Sequence, residues 1–260
     1  NRELNMGIII ALIIALIIIV VIVNAIQQHR EKLDQEKRAK VAKQKAIIDE
    51  TEELIVNLAH LPSSPNLVGI LNTRSYNAAK TMAEIMPENK QLLKRVDELE
   101  ARINASKEAS ASTGSSDQNF NLPDNEQHLV AMLQCIKKLR ATLKSEQTKG
   151  NLDAQTFTQE DQKLDAIQLR IGVESLLKRG NMAYQKEMLG SARQYYEKAL
   201  QTIGQHTVQT EYCVAKRQEI EEQLQEITSA LKNTNAKDAA QKAKAEEDDL
   251  DMLFQPKKKW

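Results

Sequence analysis

Six histidine and cysteine side chains, which can ligate metals or form nucleophile–base pairs, occur in this chain: His29, His60, His128, His206, Cys135 and Cys213. They are scattered. None falls into the short Cys/His spacings that a zinc site requires, because a chelate needs its ligands brought together by one turn or hairpin. No glycine-rich phosphate loop and no nucleophile–base motif accompanies them. The histidines read as ordinary surface or core residues, and the cysteines as buried thiols of a reducing compartment. The expectation is a protein that is not an enzyme and has no cofactor, metal or catalytic residue.

The residues whose spacing does carry chemistry are suited to docking. Five acids in six residues, Glu246, Glu247, Asp248, Asp249 and Asp251, surround Leu250, and Met252, Leu253 and Phe254 follow. Leu250, Leu253 and Phe254 stand at i, i+3 and i+4, so a short helix presents them as one apolar face within a charged frame. Segments that fold on a protein partner have this character. Lys257 to Lys259 and Trp260 come next, a combination also suited to an anionic membrane interface.

The element that positions everything else is at the other end of the chain. Residues 6–23, MGIIIALIIALIIIVVIV, are uncharged and apolar throughout. As a helix they measure about 27 Å, close to the hydrocarbon thickness of a bilayer. The prediction is a short non-cytoplasmic N-terminus at 1–5 and a transmembrane helix at 6–26. Arg30, Lys32, Lys37, Arg38, Lys40, Lys43 and Lys45 lie on one flank and only Arg2 on the other. By the positive-inside rule the N-terminus is out and residues 27–260 are cytoplasmic, at the inner membrane. The apolar run is longer than a secretory signal's core and lacks a basic segment before it, which favours an uncleaved anchor. Gly7, Ala11 and Ala15 form a small-xxx-small face on which two such helices can pack in lipid.

The remainder is expected to be all-α. Basic and acidic residues balance at 36 each and aromatics make up 3%, so there is no global field for nucleic acid and no stacking platform to grip one. Residues 27–105 read as a charged stalk leading into three antiparallel helices, able to pair with another copy. The seam of the first is Ile47, Leu54, Leu58 and Leu61. Ser64 as N-cap and Pro65 at the first helical position start the second, and Pro87 forces a restart into the third, striped by Leu92, Val96, Leu99 and Ile103. Residues 106–124 are serine-rich and read as a flexible linker. Residues 125–234 read as a second helical unit, with Asp124 as its N-cap, and residues 235–260 as a disordered tail.

Residues 176–204, LLKRGNMAYQKEMLGSARQYYEKALQTIG, resemble a tetratricopeptide repeat. Leu176, Gly180, Ala192, Tyr196 and Ala199 match its consensus positions, whereas Arg179, Ala183 and Gly204 depart from it. The resemblance implies an αα-hairpin with a groove for a protein or peptide. EEDDLDMLF is similar to the segment by which flagellar switch proteins hold a response regulator. Asp248, Asp249, Leu250, Asp251, Leu253 and Phe254 fit that pattern, which implies a receiver domain as one partner. The functional expectation is a membrane-anchored scaffold or adaptor, and the alternative is a self-associating coiled-coil spacer.

Overall fold

The structure is a computed structural model that describes residues 2–62, 64–112 and 122–254, without the side chains of 112 and 246–254. Among these residues it is all-helical, with seven helices in chain order: α1 (Arg2–Leu58), α2 (Pro65–Ile85), α3 (Lys90–Ser112), α4 (Glu126–Thr148), α5 (Ala154–Gln185), α6 (Leu189–Gln205) and α7 (Glu211–Phe254). They form two compact units, residues 1–120 with 137–160 and residues 121–136 with 161–260.

In the first unit α1 is one continuous helix with three successive characters. Its apolar part, a candidate membrane span, is unburied over its whole length. Residues 24–40 are exposed as well, about 25 Å of charged helix. From Val41 onward the helix packs, burying Ile48, Thr51, Leu54 and Leu58. α2 returns antiparallel to α1 and α3 antiparallel to α2, around Ile48, Ala78, Ala79, Met82 and Leu99, with Val41, Ile47, Tyr76, Leu92 and Val96 packed against them. α2 starts at the expected residues: Ser64 Oγ accepts from the Leu67 N–H at 3.3 Å, and Pro65 occupies the first turn.

Four boundaries differ from expectation, the last of them the end of α7. α3 continues to Ser112, so the first seven residues of the expected linker are helical. Ser106 and Ser110 return their hydroxyls to carbonyls one turn back, at Arg102 and Ser106, which satisfies them without leaving the helix. Residues 113–121 lie outside the described residues. The cap of α4 is Asn125, whose Oδ1 accepts from the Gln127 N–H at 2.8 Å, while Asp124 instead accepts from Lys178 Nζ at 2.7 Å. Asn and Asp cap equally well, so a one-residue shift costs little. The α4–α5 turn, expected in the second unit, belongs to the first. There Glu146 pairs with Arg74, and Ser64 Oγ donates to Glu160 Oε2 at 2.5 Å.

The second unit packs α5, α6 and α7 around Leu169, Val173, Leu177, Ala192, Tyr196, Ala199, Ile203, Cys213, Ile220 and Ile227. The backbone turns from α5 to α6 at Glu187, which adopts φ 59°. At the next turn His206 Nε2 meets Asp165 at 2.8 Å and Nδ1 meets the Val208 carbonyl at 2.7 Å. α7 extends beyond 234, the expected end of the second unit, through most of the stretch expected to be disordered. From Lys232 to Ala245 it is exposed. Its Ala, Lys and Gln content favours helix without any tertiary contact.

Candidate partner-binding groove

α5, α6 and α7 meet where the smallest side chain of the hairpin faces one of the largest. Gly180 on α5 is buried, and a Cβ there would stand 3.2–3.3 Å from two ring carbons of Tyr196 on α6 and 3.4 Å from the Cβ of Tyr195. Glycine therefore sets how closely α6 approaches α5. Ala192 and Ala199 are fully buried on the same hairpin, and Leu176 packs partly buried against that core. The five positions singled out from the sequence thus belong to one interface.

Beside that interface lies a groove of about 190 Å³, lined by Asn181, Tyr184 and Gln185 from α5, Tyr196 from α6, and Gln223, Glu226 and Ile227 from α7. Its rim is polar. Tyr184 Oη donates to Glu226 Oε1 at 3.1 Å, and Tyr196 Oη donates to Asn181 Oδ1. The Asn181 amide N–H₂ remains free to serve a ligand beside the side-chain amides of Gln185 and Gln223. The hydrogen bond to Glu226 and that residue's charge hold the Tyr184 phenol above its ordinary range. The Tyr196 phenol is raised first by burial and then by its neighbours Tyr184, Glu219 and Glu226. Among the residues that line the groove, Glu226 carries a negative charge. Among the described residues no Lys or Arg lines the groove, and no cation stands within ion-pair distance of Glu226.

No family model, curated protein or solved structure matches this chain. The groove is therefore read from its own chemistry.

A larger cleft, of about 290 Å³, lies in the first unit between α2, α3 and the α4–α5 turn. Its buried carboxylate is already used: Glu146 faces Arg74 Nε at 3.4 Å and Lys149 Nζ at 3.4 Å, and accepts from Asn151 Nδ2 at 2.8 Å. A carboxylate so saturated serves packing, and a ligand would have to displace those partners. The smaller groove, with open amides and an exposed acid, is the better docking surface.

Asn181, Tyr184, Gln185, Gln223 and Glu226 were not singled out from the sequence. Asn181 and Gln185 at i and i+4 place two amides on one helix face, but such pairs are common, and α7's contribution depends on tertiary packing. The remaining expected sites lie elsewhere. Gly7, Ala11 and Ala15 are exposed along the apolar part of α1, with nothing within 4 Å of a Cβ added at Gly7. Asp248 to Asp251, Leu253 and Phe254 lie on α7, their side chains outside the described residues, and Trp260 lies beyond them altogether. Among the described residues no three His, Cys, Asp or Glu side chains come together as metal ligands.

Proposed function

We propose that this protein is a membrane-anchored helical scaffold that holds a protein partner at a distance from the bilayer. The observation that carries the reading is the continuity of α1, in which an unburied apolar length, an exposed charged length and a packed length form one helix. A rigid connection of this kind ties the bundle to the anchor and keeps it off the surface. In this reading the anchor lies in the inner membrane with its N-terminus out, and both units are cytoplasmic, as the cations after the span favour. The chemistry is non-enzymatic. Confinement to a surface raises the effective concentration of whatever the protein holds.

Two features supply the holding surface. One is the groove at the tetratricopeptide-like hairpin, with its open amides and exposed tyrosine. The other is the acidic-apolar segment at 246–254, whose pattern fits a receiver domain. The test is affinity capture from membranes with three versions of the tagged chain: intact, truncated after Ala245, and carrying Asn181→Ala with Gln185→Ala. A partner retained by the intact chain and lost with either change supports the reading. Identical recovery from all three, including recovery of nothing but further copies of the chain by all three alike, overturns it in favour of the self-associating spacer.

A further inference from the structure

We propose that the groove on α5, α6 and α7 takes residues 255–260, QPKKKW, from a second copy of the chain. The inference rests on reading that groove as a docking surface, and it names one occupant. Glu226 is exposed, and its described partner is the Tyr184 hydroxyl, a neutral donor. An incoming ammonium group therefore finds an uncompensated carboxylate next to a tyrosine ring, which favours cations further through its π face. Asn181, Gln185 and Gln223 offer amide donors and acceptors to the main chain of an extended segment.

The segment with the matching chemistry is Lys257, Lys258 and Lys259, next to the sole tryptophan of the protein, Trp260. The other dense basic stretch, Arg30 to Lys45, is committed to the helical stalk of α1. A chain cannot deliver this segment to its own groove. Glu226 and Phe254 lie on the single helix α7, 28 residues apart, or about 42 Å at 1.5 Å per residue. Six further residues reach back at most about 21 Å. The groove so filled belongs to a neighbour, and anchorage of both copies in one bilayer raises their effective concentration for a contact that is individually weak.

The experiment uses the full chain in liposomes, prepared as an equal mixture of ¹⁴N- and ¹⁵N-labelled copies and treated with a zero-length carbodiimide. The expected product joins a peptide containing Glu226 to one containing a lysine from 257–259, with the two halves differently labelled. It should be absent in Glu226→Gln and in the triple change Lys257→Gln, Lys258→Gln and Lys259→Gln. Trp260 gives a second readout: its anisotropy should rise with the density of copies in the bilayer, and Glu226→Gln should abolish that rise. Links only between equally labelled peptides, links to other carboxylates, or no link overturn the proposal. So does a Trp260 signal indifferent to both density and Glu226. Loss of a captured partner through Asn181→Ala and Gln185→Ala without any inter-copy link would leave the scaffold reading standing and remove this one.

Discussion

Arg74 on α2 and Glu146 near the end of α4 face each other at 3.4 Å with side chains only 9% and 4% exposed. Arg74 also donates to Thr51 Oγ1 at 3.0 Å and to Glu50 Oε2 at 3.2 Å. One guanidinium thus connects α1, α2 and α4. Burying two charges is unfavourable unless each is compensated, so the pair acts as a constraint on register more than as a source of net stability.

Removing one partner should therefore cost far more than removing both. Arg74→Met alone should destabilise the first unit by about 3 kcal/mol or more, because it leaves Glu146 buried with less compensation. Arg74→Met combined with Glu146→Leu should recover a large part of that loss. Urea unfolding of the full chain in detergent, followed by circular dichroism, measures both. Additive losses would contradict this account.

Two glycines of α5 should respond to alanine with opposite signs. Nothing lies within 4 Å of a Cβ added at Gly172, so Gly172→Ala should stabilise the helix by about 0.5–1 kcal/mol. At Gly180 the Tyr196 ring is only 3.2–3.3 Å away, and overpacking of about 1–3 kcal/mol outweighs the same helical gain. Melting temperatures of the two variants, one above and one below the parent, are the expected result.

Acid should weaken the start of α5 through Asp153, whose carboxyl is held below its ordinary value by the Thr156 backbone N–H, 2.9 Å away. A depressed carboxylate contributes stability that is complete above the unfolded value near 3.8 and is lost as pH falls through the folded one. Asp153→Asn retains an acceptor but cannot titrate. The decline in melting temperature between pH 5 and pH 3 should be smaller in that variant.

In alkali the sign reverses for Tyr212. Burial raises its phenol strongly, and the hydrogen bond to Glu174 at 2.9 Å raises it further. A raised group contributes stability that is complete below the unfolded value near 10 and is lost as pH rises through the folded one. Titration of tyrosinate absorbance should show a late component that Tyr212→Phe deletes. An unchanged curve would place the hydroxyl in solvent.

Charges within the span should release the protein from lipid. Ile14→Arg with Ile17→Arg introduces two cations near the middle of the apolar run, at about 2.5–3.5 kcal/mol each on translocon-derived scales. Alkaline carbonate extraction should shift the variant to the soluble fraction, while its bundle, which begins packing at Val41, remains folded. Full retention in the pellet would mean that residues 6–23 are not the anchor.

Much of the fold was legible because it depends on local rules. Ser64 and Pro65 start α2 as capping chemistry requires, and Leu54, Leu58 and Leu61 are buried at the spacing of one helix face. Two of the boundaries that differ share a cause. Serine-rich and Ala/Lys-rich stretches look unstructured when judged by their lack of core residues, yet helix also forms where propensity suffices and backbone bonds are local. Thus α3 reaches Ser112 and α7 reaches Phe254.

By itself the amino-acid order determined the all-helical class, the apolar run able to span a bilayer, and the hairpin built on Gly180, Ala192, Tyr196 and Ala199. Each of these follows from periodicity and residue size within one continuous stretch. Only the tertiary structure decided that Arg74 meets Glu146, 72 positions away, and that Tyr184 meets Glu226, 42 positions away. Such contacts between polar residues leave no periodic mark along a chain, because helix packing sets them and nothing local does.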